Sequence, residues 1–220
     1  MTAIAWSPTG TLLAASSASG EVVLFRLDPF VPVFLQSAND YAVDCLAFSC
    51  DGQFLASAGQ SGQVKVLACG NLDSTLLVTE WGNPNPWLMQ GFTGKVRQLS
   101  WSSLPNRAGA PLLAASSGND IVVWERSQNP QIGWNSEAVS HEEQVCAIAF
   151  HPQSTRLASV GKDGWLHLWH RGRQLLQSLN GGTKGFSCLS WHPPGNHLVA
   201  GGEEGEIFFW SQTKSGQGFA

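Results

Sequence analysis

The chain has 220 residues, with 12 Lys and Arg against 16 Asp and Glu, for a net charge of −4 with histidine neutral. At 43% hydrophobic and 13% charged it holds about half the usual charged share and is long enough to bury a core, which excludes a disordered solvating chain. The mild acidity, with no Lys/Arg run, excludes a binder of nucleic-acid backbone; no apolar run reaches the roughly 18 residues of a membrane helix, so membrane insertion is not expected.

The N-terminus, MTAIAWSPTG, shows no signal-peptide pattern. From there one pattern returns five times. AIAWSP closes at Trp6, LLAASS follows, VVLF closes at Phe25, and VPVFLQ comes last. The second return is VDCLAFSCDG through Phe48, FLASAG, VKVL to Leu67, and STLLV. An irregular connection, TEWGNPNPWLMQGFTG, then spans 79–94 with two Asn-Pro steps. The third return is VRQLSWSS through Trp101, the insertion LPNRAGAP, LLAASS, IVVW to Trp124, and EAV. VCAIAFHP, LASVG, LHLW to Trp169 and QLLQSL make the fourth; FSCLSWHP, LVAGG and IFFW to Trp210 make the fifth.

Each run alternates or is wholly apolar over four to six residues and is bounded by turn residues, the chemistry of a strand. The middle runs are rich in Ala, Ser and Gly, so a neighbouring sheet can approach closely there. Five residues before each third-run closure stand Gly20, Gly62, Asn119, Gly164 and Gly205, residues that tolerate positive φ in a tight turn. Four strands per unit of about 40–45 residues is the signature of propeller blades, which bury their flat faces on one another. The expected fold is all-β: one β-propeller of four-stranded antiparallel blades over 1–210. Its repeats lie near 1–38, 39–79, 94–140, 141–180 and 181–210, with an inserted loop at 79–94 and a polar tail at 211–220.

In the fourth repeat, Ser159 lies four residues before Asp163, Trp169 six after it and His141 22 before it. With this spacing the sequence resembles the WD-repeat β-propeller family, as a divergent, bacterial-type member. The resemblance implies that His141, Ser159, Asp163 and Trp169 form a hydrogen-bonded structural tetrad. The other repeats depart from it, with Ser19, Ser61, Gly118 and Glu204 at the Asp position. By the same resemblance, partner-facing positions before the turn and at the start of the inner strand are Gln60, Lys162 and Glu203, and Asp44, Lys95, Arg97 and Gln144. Seven blades are usual in that family. Two readings therefore stay open: part of a larger propeller, truncated or completed by another chain, or a five-bladed or open structure.

His141, Ser159 and Asp163 also mimic a nucleophilic triad, but Ser159 lies within an apolar strand and the structural reading already explains the spacing. His and Cys residues are not clustered at ligand spacing, so no metal or cofactor is expected. Cys45, Cys50, Cys69, Cys146 and Cys188 are scattered and odd in number, as free thiols of a reducing, cytoplasmic compartment. Cys45 and Cys188 read as small buried hydrophobes. The expected function is a non-enzymatic scaffold for protein partners, with Trp81 and Trp87 as further candidate contacts. The alternative is a small-ligand or glycan binder using Trp81, Trp87 and Trp134.

Overall fold

The computed structural model describes residues 1–36, 41–69, 86–92, 94–129, 131–181 and 184–212. The chain forms two compact units, Met1–Leu99 and Ser100–Ala220. No helix occurs among the described residues.

In the first unit, β1 (Ala3–Trp6), β2 (Leu12–Ser16), β3 (Val22–Leu27) and β4 (Phe30–Gln36) form an antiparallel sheet in chain order. A second sheet follows, of β5 (Val43–Phe48), β6 (Phe54–Gly59), β7 (Val64–Ala68) and β8 (Trp87–Met89). Leu12, Ala14, Val22 and Leu24 of the first sheet pack with Val43, Leu55 and Leu67 of the second. Alternation drives this. Along β2, Leu12, Ala14 and Ser16 are buried while Leu13 and Ala15 are not. β6 is buried along its whole length, so Ala56 and Ala58 occupy positions where larger side chains would hold another layer away.

The 79–94 stretch is not one irregular insertion. Trp87–Met89 pairs antiparallel with Val64–Val66 as the fourth strand, and Met89 is buried. STLLV, expected in that role, lies outside the described residues.

A third sheet holds β9 (Gln98–Pro105), whose first two residues close the first unit's range, with β10 (Pro111–Ser117), β11 (Asp120–Arg126) and β12 (Trp134–Ser140) of the second unit. The next contains β13 (Val145–Phe150), β14 (Arg156–Gly161), β15 (Trp165–His170) and β16 (Gln174–Asn180). The last contains β17 (Phe186–Trp191), β18 (His197–Gly202) and β19 (Ile207–Ser211). Two apolar seams join them. Leu112, Ala114, Ile121 and Val123 meet Val145, Leu157 and Trp169. Ala158, Val160, Leu166 and Leu168 meet Phe186, Leu198 and Ala200. Cys188 faces solvent instead of a core, because β17 presents only Phe186 fully inward.

The hairpin turns use glycine at φ of 84° for Gly20, 70° for Gly62, 76° for Gly164 and 91° for Gly205. The third hairpin differs. Ser117 pairs with Asp120, leaving a two-residue link whose first position takes the positive φ, so Gly118 at 58° does what was expected of Asn119. Asn119 is freed to act as a tie: its carbonyl accepts from His141 N at 3.0 Å, and its Nδ2 donates to Glu142 O at 3.0 Å.

Candidate functional site

The elements of the fourth repeat converge on one network. β14 supplies Ser159, the β14–β15 turn Asp163, β15 Trp169, and the connection before β13 His141. His141 Nδ1 lies 2.8 Å from Asp163 Oδ2, and Nε2 lies 2.7 Å from Ser159 Oγ. Trp169 Nε1 donates to the same Ser159 Oγ at 2.8 Å. Indole N–H can only donate, so Ser159 Oγ accepts from it and gives its single proton to His141 Nε2. Nδ1–H is then left to donate to Asp163. Backbone N–H groups of Glu142 and Trp165 add bonds to the carboxylate, each at 3.1 Å. The Asp163 side chain is 3% exposed and that of His141 is not exposed at all. A buried charge held by three donors is the arrangement that avoids the penalty of an unpaired carboxylate.

Burial holds the His141 imidazole below the usual range, opposed by Asp163, so it is neutral at neutral pH. Next to it, His167 has its ring centroid 4.4 Å from that of His141. Burial, then repulsion by His141, lower its pKa from 6.5 to about 4, with Asp163 opposing. The unfolded chain therefore binds a proton on His167 that the folded chain refuses. Stability is full above about pH 6.5 and falls as pH drops towards about 4. Urea unfolding across that window should show the loss, and His167→Gln should reduce it, leaving the part due to His141 and His151, which burial also holds below the usual range.

This network cannot serve Ser159 as a nucleophile. Its oxygen is fully buried, accepts from Trp169 and donates to His141, so no attack path is open. His141, Asp163 and His167 also present ligand-type atoms within 4.8 Å of one another. Both His141 nitrogens are committed, however, and His167 Nδ1 bonds Ser178 Oγ at 2.9 Å. The donor set fits hydrogen bonding, not a metal centre.

Two of the divergent repeats, the first and the fifth, replace the turn Asp with a carboxylate two residues further on. Two residues beyond the Asp position, Glu206 turns back so that its Oε2 accepts from Glu204 N at 3.1 Å. Glu21 does the same for Ser19 Oγ at 3.0 Å. The signal was a carboxylate at matching positions in the first and fifth repeats.

Of the candidate partner residues, the first unit brings Asp44 and Lys95 together, Nζ to Oδ2 at 2.8 Å, in ion-pair contact without hydrogen-bond alignment. Asp44 sits at a bulge between Val43 and Cys45. Gln60 and Arg97 are exposed. In the second unit Lys162 Nζ stands 3.5 Å from Glu203, and Lys184 Nζ 2.7 Å from Glu204. Gln144 lies beneath, its carbonyl accepting from Lys162 N at 2.9 Å. Trp81 lies outside the described residues. Trp87 lies 6.1 Å from Phe54, ring centroid to ring centroid, and Trp134 lies edge-on to Trp101 at 6.2 Å; both are half-buried.

Antiparallel sheets recurring in chain order, with small-residue centres and this tetrad, define a repeat protein of the WD type. Family models agree: residues 4–103 match the anaphase-promoting complex subunit 4 WD40 domain, and 135–170 and 173–211 match the WD domain, G-beta repeat. The chain belongs to the WD40 repeat family. WD repeat-containing protein 1 of Gallus gallus is 24% identical over 94% of this chain and 33% of its own length. Protein transport protein sec13 of Aspergillus clavatus is 23% identical over 97% of this chain and 81% of its own. These relatives are eukaryotic. Among solved structures, the RRP9 WD40 repeats superpose with a TM-score of 0.71 at 16% identity, covering 97% of this chain and 60% of that one. A chain of the mitotic checkpoint complex gives 0.70 at 21%, covering 96% and 60%. The fold is that of WD40 propellers. The chain spans 22–37% of the first three curated relatives and 60% of these solved chains.

Proposed function

We propose that the chain is a non-catalytic scaffold that docks protein segments on the turns surrounding the tetrad, and that it forms part of a seven-bladed WD40 propeller. The observation that carries the reading is the tetrad itself. Among the described residues, the one constellation resembling catalytic chemistry is spent on holding the turns of β14–β15 and β12–β13 in place. What those turns offer outwards is a rigid, mixed-charge surface: Lys162 and Glu203, Lys184 and Glu204. Rigid loops on a sheet scaffold are the usual carriers of recognition. A solved neighbour of the same fold belongs to the mitotic checkpoint complex. The five free thiols support a reducing, cytoplasmic setting.

Lys162→Glu tests the reading. The Lys162–Glu203 pair is exposed and contributes at most about 1 kcal/mol, so the variant should fold as the parent does. Quantitative affinity capture should then show a protein partner retained by the parent and lost by at least about tenfold in the variant, as for a charge reversal at an interface. No retained protein, or equal retention by both, would sink the proposal.

A further inference from the structure

The second unit separates its charges along the strands. Its three sheets run between the same two ends. At one, Val145 N bonds Gly118 O and Glu203 N bonds Gly185 O; at the other, Arg171 meets Glu125 and His151 Nε2 meets Gly195 O. The tetrad end holds seven Asp and Glu among the described residues, against Lys162 and Lys184. The far end holds Arg107, Arg126, Arg156, Arg171 and Arg173 against Glu125 and Glu137. A chain with only seven arginines and a net charge of −4 has placed five of them at one end of one unit.

A cavity of about 570 Å³ opens there, walled by the β9–β10 turn, the β11–β12 connection and Arg173. The charged groups of its lining, Arg107, Arg126 and Arg173 with Glu125 and Glu137, are braced from outside the lining by Arg171. Arg171 takes a left-handed backbone, φ 54°, that sends its guanidinium to Glu125. Glu125 also accepts from Arg173 Nη2 at 2.8 Å, and Glu137 lies 3.2 Å from Arg173 Nη1. The Arg173 fork is thus held from two sides, and its Nε is buried, without a hydrogen-bond partner among the described residues. Across the cavity, Arg107 is exposed at the turn tip and has no ion-pair partner among the described residues. Asn129 and Asn135 add amides that can meet an extended backbone.

We propose that this cleft docks an acidic peptide segment of a partner protein, receiving a side-chain carboxylate on the exposed guanidinium of Arg107. Planar guanidinium forks match carboxylates in geometry as well as charge. The two glutamates on the wall disfavour the closely spaced phosphates of a nucleic acid and leave room for single carboxylates. The site lies at the opposite end from the tetrad surface and does not depend on it.

Fluorescence anisotropy with the full chain and a short fluorescein-labelled peptide alternating Glu and Ser tests this. The peptide should bind saturably and weaken with salt. Arg107→Glu should weaken it at least about tenfold. A Gln-Ser peptide should not compete. The proposal falls if the Glu-Ser peptide shows no saturable binding, if the Gln-Ser peptide binds equally, or if Arg107→Glu binds like the parent. It also falls if an RNA homopolymer displaces the peptide more effectively than unlabelled peptide does.

Discussion

Asp163→Ala is expected to destabilise the second unit by about 3–5 kcal/mol, because three buried N–H donors lose their one shared acceptor at about 1–3 kcal/mol each. The loss is concentrated because the carboxylate is shared. His141 Nδ1 and the backbone N–H groups of Glu142 and Trp165 all point at it and would be left without an acceptor in a site closed to water. The damage spreads along the network, since an unanchored His141 no longer fixes the acceptor of the Ser159 hydroxyl. Ser159→Ala should cost less, about 1–3 kcal/mol, because it strands only the Trp169 N–H and one imidazole nitrogen. Urea unfolding followed by far-UV circular dichroism measures both. In a double-mutant cycle with His141→Phe, Asp163→Ala should lose much of its effect, as expected for residues in one network. Additive losses would mean that the two side chains act separately.

Local chemistry was legible in the sequence, and long-range assembly was not. Period-two runs such as VCAIAF and LHLW became β13 and β15 because alternation alone selects which face is buried. The tetrad was readable because its spacing depends on strand and turn lengths within one repeat. Asn119 misled because the turn length, set by the Ser117–Asp120 pairing, moves the positive φ one residue back to Gly118. Trp87–Met89 was hidden by the Pro-rich segment before it, whose composition masks an apolar triplet that finds its partner only once β7 exists. Cys188 looked like Cys45 in the pattern, yet its exposure depends on what covers β17, which no local pattern reports. The arginine cleft was invisible for the same reason. Residues 107, 126, 171 and 173 are scattered through two repeats, and only the shared direction of the hairpins gathers them.

That gathering rests on a tight contact, which sets the last expectation: Gly172→Ala should destabilise the unit by about 2–4 kcal/mol. Gly172 follows Arg171 in the three-residue β15–β16 link, with φ of 54° and 66°; the two are the central residues of the β-turn closed by Arg173 N donating to His170 O at 3.0 Å, and two positive values there are those of a type I′ turn. An alanine there carries strain of about 1 kcal/mol from the left-handed backbone. The larger part is steric. A Cβ at Gly172 would overlap Val123 Cγ2 and stand 3.0 Å from Val123 Cβ. Val123 is fully buried, and its branched side chain has few alternative rotamers, so the turn must move instead. Gly133 supplies the control: its φ is 72° and nothing lies within 4 Å of its would-be Cβ, so Gly133→Ala should cost the strain alone. Val123→Ala should partly rescue Gly172→Ala, with a coupling of about 1–2 kcal/mol in urea unfolding. If Gly172→Ala cost no more than Gly133→Ala, the turn would not be seated on β11. The Arg171–Glu125–Arg173 cluster would then lack the backbone support on which the shape of the cleft depends.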